Sequence, residues 1–286
     1  MSQLLAVLFD GVAYGMLLFL LSIGLSVTQG MMNFTNLAHG AFAMLGAYVT
    51  LFMVQSLGVN FLLTLPFAFI VTAAVAAVFE ITLFRRLYNA GELNQVLFTI
   101  GLVFTASAIA AYVFGSVNQS VALPAYLTGY VEFAGAKLPS YRIFLVIIAV
   151  FLTIAVVWAL EFTRFGAMVR ASVDNQRVAR GLGLNVNRIF ALTFALGSGL
   201  AGLGGALAID ILSLDPSFGF HILVPVLIVV AVGGLGSIWG SFVAAACLGL
   251  FDVAGKYFIP ELGAFLIYLF MVVLLFLRPG GLFGKR

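Results

Sequence analysis

Residues 61–86, FLLTLPFAFIVTAAVAAVFEITLFRR, decide the class of fold. Their apolar part, residues 61–84, exceeds the roughly 20 residues that a helix needs to cross a bilayer. Two arginines, Arg85 and Arg86, follow it directly. Because Lys and Arg collect on the cytoplasmic side of membrane proteins, the stretch predicts a spanning helix whose carboxyl end lies at the cytoplasmic face.

The composition extends this interpretation to the whole chain. The 286 residues are 64% hydrophobic and only 8% charged, whereas a soluble protein carries about 25% charged residues. A chain with this few charges cannot cover a water-facing surface. We therefore expect an all-α, polytopic membrane protein with about 8–9 transmembrane helices, a number that includes short or broken ones. The candidate spans are residues 4–27, 37–56, 61–84, 94–114, 142–160, 189–211, 220–235, 238–256 and 262–277.

Two of these runs, 37–56 and 220–235, are short or follow a polar segment, which predicts broken or re-entrant helices. The two polar segments end in His39 and His221, each six residues after the segment begins. Transporters often carry discontinuous helices at matching positions of an inverted repeat. The shared spacing favours such a repeat here, and coincidence is the alternative.

The polar side chains of these segments have two interpretations. Asn and His are costly in lipid, so they either line a substrate path or join and cap helices. A helix that begins near Asn36 or Ser217 would also offer backbone N–H groups to a substrate carboxylate. The candidate path residues are Asn33, Thr35, Asn36, His39, Ser217 and His221.

The basic residues orient the bundle. Ten of the 13 Lys and Arg residues fall after the third run, in the loop at 161–188, or at the C-terminus. Placing all three groups in the cytoplasm agrees with the even number of runs between them. This predicts a cytoplasmic C-terminus, an N-terminus outside and an outer loop at 115–140. Asp252 and Lys256, four residues apart near the outer face, are expected to neutralise each other, and an ion relay is the alternative.

The loop at 161–188 carries five arginines and is the longest polar segment on the predicted inner side. Its pattern predicts a short helix from Gly166 to Arg180, ended by Gly181 and Gly183. Val169, Val173 and Val178 are expected to face the membrane, with the charged side chains projecting away from it. The helix either lies on anionic lipid or docks a soluble partner.

Several blocks of the chain resemble one transporter family. RASVDNQRVARGLGLNVNR, residues 170–188, resembles the cytoplasmic coupling loop of ABC importer permeases. Residues 30–48, GMMNFTNLAHGAFAMLGAY, resemble the first-half motif of the branched-chain amino-acid permease family (the LivH type). Residues 192–207 and 232–245 resemble its Gly-rich helices, and residues 277–286 its C-terminal end. The blocks follow the family's order over nearly the whole chain.

The resemblance implies a single transmembrane permease domain, residues 1–286, with 161–188 as its coupling loop. It implies a subunit of an ATP-binding-cassette importer in the bacterial inner membrane, translocating branched-chain or related small amino acids; urea, amides or aromatic acids are alternative substrates. The implied partners are two ATPase subunits, a second permease, a periplasmic substrate-binding protein and membrane lipid, with no nucleic acid. The residues implied to couple to the ATPase are Arg170, Asp174, Arg177, Arg180 and Gly183.

The residues themselves give no support to catalysis. A phosphate-binding loop needs G-x-x-x-x-G-K-[ST], and the nearest stretch, residues 250–257, lacks the first Gly and the final Ser or Thr. We therefore expect ATP to be bound by partner subunits and no cofactor in this chain. Two His and one Cys are too few for a zinc site from these residues alone. An ion-coupled carrier and an intramembrane enzyme that uses His39 or Asp215 are the alternative classes.

Small residues mark the helix faces that are expected to pack closely. Gly11 and Gly15, and Gly236 and Gly240, are spaced four apart, and the segment 197–205 is rich in Gly and Ala. Such faces let helix backbones approach each other. We expect them to pack within the chain, with a seam against a second permease as the alternative.

Overall fold

The computed structural model describes residues 2–32, 36–88 and 90–283, and it is a bundle of apolar helices. Six of its helices are long and apolar enough to cross a membrane, and three apolar segments are shorter, which confirms the polytopic all-α fold. The helices are α1 (Ser2–Met32), α2 (His39–Gln55), α3 (Phe61–Phe79), α4 (Arg85–Leu87), α5 (Glu92–Phe114), α6 (Ser140–Glu161), α7 (Arg164–Asp174), α8 (Gln176–Gly181), α9 (Val186–Ala208), α10 (Phe218–Gly233), α11 (Ile238–Phe258) and α12 (Pro260–Leu277). A π-helical segment, Glu80–Phe84, joins α3 to α4.

The two runs that were predicted to be broken form short apolar helices in the central bundle. Helix α2 has 17 residues and α10 has 16. At a rise of about 1.5 Å per residue, each is shorter than the roughly 30 Å hydrocarbon core of a bilayer. Each therefore begins or ends inside the bundle.

Glycine contacts hold α1 against α9. A Cβ on Gly24 would lie 1.9 Å from the carbonyl oxygen of Gly197, and a Cβ on Gly197 would lie 2.8 Å from that of Gly24. Further along, Gly204 contacts Leu21, so the two helices run antiparallel. Each glycine thus approaches the backbone of the other, as expected of residues beside a two-fold axis.

The same reciprocity joins the two short helices. A Cβ on Gly40 in α2 would lie 2.1 Å from the carbonyl oxygen of Gly219 in α10, and one on Gly219 would lie 3.2 Å from that of Gly40. Helix α1 also packs along α11, as its counterpart α9 packs along α3. The long–short–long order of α1–α3 and of α9–α11 therefore forms two inverted halves.

The shared spacing of His39 and His221 suggested the repeat, but it matches residues that are not counterparts in the structure. The reciprocal contact matches Gly40 with Gly219, so the counterpart of His39 is Phe218, and His221 stands three residues beyond it. The repeat is carried by glycines because only they permit this backbone approach.

The glycine faces pack within the chain. Gly11 and Gly15 on α1 meet Leu250 and Ala245 on α11, which confirms the first predicted face. The second is wrong, because Gly236 precedes α11 and occupies a turn with a φ of 78°.

The bundle has two distinct ends. At one, α7 and α8 lie beside the start of α9, and Arg85 Nη2 lies 3.5 Å from the carbonyl oxygen of Asn187. We call this the loop end. At the other, Gln55 donates to the carbonyl of Ser120 (2.8 Å), and the antiparallel strands β1 (Tyr130–Phe133) and β2 (Ala136–Pro139) form a hairpin. We call this the hairpin end, and it contains the predicted outer loop at 115–140.

Candidate functional site

The polar loop folds as two short helices instead of the single predicted one. Helix α7 ends at Asp174, and α8 begins at Gln176. Asn175 separates them with an extended backbone (φ −155°), and its side chain accepts a hydrogen bond from the N–H of Val178 (3.0 Å). Because Asn readily caps a helix N-terminus, this one residue starts a new helix in a new direction.

One face of the two helices is buried against the bundle. Val169 and Ala179 are buried, whereas Val178 is exposed, so Val169 and Val178 do not lie on one buried face. The break at Asn175 explains this, because it shifts the helical phase between Val169 and Val178. Gly183 follows with a φ of 83°, a left-handed conformation that turns the chain towards α9 and confirms its predicted role as a helix terminator.

The predicted coupling residues lie on the opposite, solvent-facing side. Arg170 donates to the carbonyl of Leu160 and so fixes α7 to the end of α6. Within the described part of the chain, Asp174, Arg177 and Arg180 form no salt bridge. The coupling residues that are solvent-exposed are Arg170, Asp174, Arg177, Arg180 and Gly183.

Two further features complete this surface. Val178 and Leu182 are large apolar side chains with exposed fractions of 56% and 75%. Beside them, a shallow groove of about 350 Å³ is lined by Arg180 and Gly183, among others. Exposed apolar and cationic groups therefore lie next to each other on one side of the loop end.

A buried carboxylate lies just beneath this surface, and sequence reasoning missed it. Glu80 is fully buried, and its Oε2 lies 2.9 Å from Nη2 of Arg85. The hydroxyl of Tyr88 donates to Oε1 of Glu80 over 3.0 Å. Burial, and then the nearby carboxylate, raise the pKa of Tyr88 above its usual value, so its hydroxyl remains a donor. We call Glu80, Arg85 and Tyr88 the carboxylate cluster.

The π-helical segment makes the cluster possible. Glu80 and Arg85 are five residues apart, a spacing that an ordinary α-helix does not place on one face. In the π-helical segment the N–H of Arg85 bonds to the carbonyl of Glu80, which brings these residues together. The available sequence signal was a lone acid inside an apolar run, five residues before an arginine.

The carboxylate cluster connects the loop to the bundle. The ring of Tyr88 packs edge-on against Phe190 of α9, with 6.2 Å between ring centroids. Phe190, Ala179 and Val186 form a small buried cluster that Tyr88 covers. Ala179 of α8 therefore packs in one cluster with α9 and with Tyr88, which bonds to Glu80.

The four path residues that the structure describes lie in two separate places. Asn33 and Thr35 lie outside the described residues. Asn36 is buried, and neither its amide nitrogen nor its oxygen has a hydrogen-bond partner among the described residues. His39 is also buried, and its Nε2 donates to the carbonyl of Leu21 over 2.7 Å, which ties α2 to α1. A carbonyl can only accept, so Nε2 carries the proton.

Ser217 and His221 lie instead at the hairpin end. Both are exposed, and His221 Nδ1 lies 3.8 Å from Oδ2 of Asp215. His221 and Asp215 line a cavity of about 310 Å³ together with Tyr14 and Leu212. The contact of Gly40 with Gly219 therefore lies between two polar pairs. Asn36 and His39 are buried, whereas Ser217 and His221 are exposed.

Comparisons with known protein sequences identify the family of this chain. The family described as "Branched-chain amino acid transport system / permease component" matches residues 7–275. The chain is 25% identical to the high-affinity branched-chain amino acid transport system permease protein LivH of Escherichia coli K12, over 97% of this chain and 94% of that one. It is 25% identical to BraD of Pseudomonas aeruginosa over 97% and 95% of the two chains.

A second kind of permease also matches. LivM of Escherichia coli K12 is 28% identical over 93% of this chain and 68% of its own length. No solved structure is significantly similar to the chain. The family match covers far more than half of the sequence. The protein is therefore a multi-pass membrane protein that belongs to the family of branched-chain amino acid transport system permease components.

Proposed function

We propose that this chain is a translocating subunit of an ATP-binding-cassette importer that carries branched-chain or related small amino acids across the bacterial inner membrane. The observation that supports this most directly is the solvent-facing side of α7 and α8. Arg177 and Arg180 there form no salt bridge within the described residues, and Leu182 is exposed beside them. Adjacent apolar and cationic groups of this kind suit a protein partner.

The partner at the loop end would be an ATPase subunit. The sequence of this chain contains no phosphate-binding loop. ATP would be bound and hydrolysed by two partner subunits, and their movement would reach the bundle through Ala179, Tyr88 and Glu80. The match to both LivH and LivM favours a second permease in the same assembly. A periplasmic binding protein would deliver the amino acid at the hairpin end.

The path through the membrane would follow the contact of α2 with α10. These short helices leave room at their ends that long helices would fill. Asn36, whose amide has no hydrogen-bond partner among the described residues, is the buried residue best suited to face the path. His39 serves to hold α2 on α1 through Leu21, and Ser217 and His221 lie at the outer mouth.

The test is ATP-driven uptake of L-leucine by vesicles that contain the chain with its second permease, two ATPase subunits and binding protein. Exchanging Asp174→Arg together with Arg180→Asp keeps the net charge and changes only the pattern that the ATPase meets. We expect uptake to fall at least tenfold while the protein remains folded. The matched control exchanges Glu132→Lys with Lys137→Glu, an exposed pair on the hairpin, and should change little. Normal uptake by the Asp174/Arg180 exchange would refute the docking role.

A further inference from the structure

A cavity at the hairpin end has the chemistry of a binding site. It has a volume of about 380 Å³ and lies between α1, α6, α11 and the segment that follows α9. Small-molecule sites usually occupy about 300–1,000 Å³. Its lining includes Asp10, Tyr14, Arg142, Leu212, Asp252 and Lys256.

Two ion pairs line this cavity, and they come from different helices. Arg142 of α6 pairs with Asp10 of α1. Lys256 pairs with Asp252 of α11, with 2.6 Å between Nζ and Oδ2. Nζ of Lys256 also lies 5.8 Å from the centre of the Tyr14 ring, one helical turn from Asp10. Tyr14 therefore brings the two pairs beside each other, and their formal charges sum to zero.

Neither pair uses the full bonding capacity of its members. An arginine offers five N–H donors, a lysine offers three, and a carboxylate accepts about four bonds. Among the described residues, Arg142 forms an ion pair only with Asp10, and Lys256 donates only to Asp252. Both basic side chains remain partly exposed. Free donors and free acceptors therefore line the same space.

This arrangement discriminates by charge. A ligand with only a carboxylate would gain Arg142 and Lys256 but would be repelled by Asp10 and Asp252. A ligand with only an ammonium group would meet the opposite repulsion. A ligand that carries both groups can satisfy all four side chains, and the apolar wall at Leu212 offers contact to an aliphatic side chain.

We propose that this cavity binds a free α-amino acid in its zwitterionic form, before the amino acid enters the bundle. The carboxylate would lie against Arg142 and Lys256, and the ammonium group against Asp10 and Asp252. The inference rests on the proposed function for its place in transport, because the cavity opens at the end where substrate would be delivered. The binding itself can be measured without any other subunit.

The experiment measures equilibrium binding of radiolabelled L-leucine to the full chain in lipid nanodiscs. Leucinamide lacks the carboxylate charge, and 4-methylpentanoate lacks the ammonium group. We expect both to compete at least about tenfold more weakly than L-leucine, since each loses a set of charge-assisted hydrogen bonds. Equal competition by either compound, or no saturable binding of L-leucine, would overturn the proposal.

Paired substitutions locate the site without leaving an unpaired charge. Asp10→Asn with Arg142→Gln, and Asp252→Asn with Lys256→Gln, should each weaken L-leucine binding about tenfold. Glu132→Gln with Lys137→Gln removes the same charges from the exposed hairpin and should leave binding unchanged. Unchanged binding in both cavity variants would also overturn the proposal. Binding that follows these expectations without ATP-driven uptake would contradict the proposed function alone.

Discussion

The two ends of the bundle use charge in opposite ways. At the loop end, Arg177 and Arg180 are exposed and form no salt bridge among the described residues. At the hairpin end, the cavity charges are matched, Arg142 with Asp10 and Lys256 with Asp252. Unmatched surface charge suits a large partner that brings the complementary charge. A self-neutralised cavity suits a small ligand of no net charge.

The loop end also contains a buried charge. Glu80 is fully buried, yet Arg85 and Tyr88 both bond to it. Such a pair contributes little net stability, but removing one member leaves an uncompensated charge. The carboxylate cluster therefore fixes the geometry beneath the proposed docking surface, whereas the basic member of each hairpin-end pair is partly exposed.

The largest expected effect comes from separating the helices that carry both ends. Gly24→Leu would place side-chain atoms inside the backbone of Gly197, because the first added carbon already lies 1.9 Å from a carbonyl oxygen. We expect a loss of about 3 kcal/mol or more in unfolding free energy. The measurement is the yield of monodisperse protein and its thermal unfolding in detergent.

The control for that change is Gly101→Leu on α5, where an added Cβ meets no atom within 4 Å. It should leave stability equal or slightly higher, since leucine favours a helix over glycine. A well-folded Gly24→Leu variant would mean that the close approach of α1 and α9 is dispensable. Neither end of the bundle would then depend on this contact for its structure.

A smaller effect is expected from Glu80→Gln. The glutamine can still accept from Tyr88, but Arg85 loses its counter-ion. Losing a buried partner costs about 3–5 kcal/mol, and we expect about 2 kcal/mol because Arg85 is partly exposed. Transport per ATP hydrolysed should also fall several-fold. Glu92→Gln, at an exposed acid of the next helix, is the control, and equal losses in both variants would remove the special role of Glu80.

The sequence predicted the helices better than their contacts. Long apolar runs determine spanning helices because lipid allows few other structures, so the spans agree to within a few residues. The paired glycines could not be matched from spacing, since a reciprocal approach such as that of Gly40 and Gly219 exists only after the helices pack. The shared position of His39 and His221 in their segments pointed to the repeat but misaligned it.

In the candidate sites, too, local features were predictable from the sequence and tertiary contacts were not. The exposed arginines of the loop were predictable, because their spacing is local. The pairing of Asp252 with Lys256 was predicted for the same reason and is confirmed. Glu80 with Arg85 needed a π-helical segment, and Asp10 with Arg142 needed two helices far apart in sequence to meet. These contacts depend on tertiary structure, so the residue pattern alone could not indicate them.

Gly183→Val should have a moderate effect on association with the ATPase subunit. Comparison with Gly181→Val separates the effect of turn geometry from that of side-chain size. An added Cβ at Gly183 or at Gly181 meets no atom within 4 Å, but only Gly183 has a left-handed backbone. Forcing a branched residue into that conformation costs about 1–2 kcal/mol. We expect a roughly tenfold weaker association with the ATPase subunit, measured by co-purification at graded concentrations. An equal loss in Gly181→Val would attribute the effect to added side-chain bulk at the end of α8.

The smallest expected effect concerns Asp210, just after α9 at the hairpin end. Local burial raises the pKa of its carboxyl group above the usual 3.8, and Arg142 only partly opposes this. An acid with a raised pKa destabilises the fold where it is ionised, so the penalty applies at neutral pH and disappears as the pH falls towards 3.8. Asp210→Asn should therefore raise stability at pH 7, by no more than about 0.5 kcal/mol for so exposed a residue. Thermal unfolding at pH 7 and pH 4 measures this, and a gain that grows in acid would show that Arg142, and not burial, dominates the environment of Asp210.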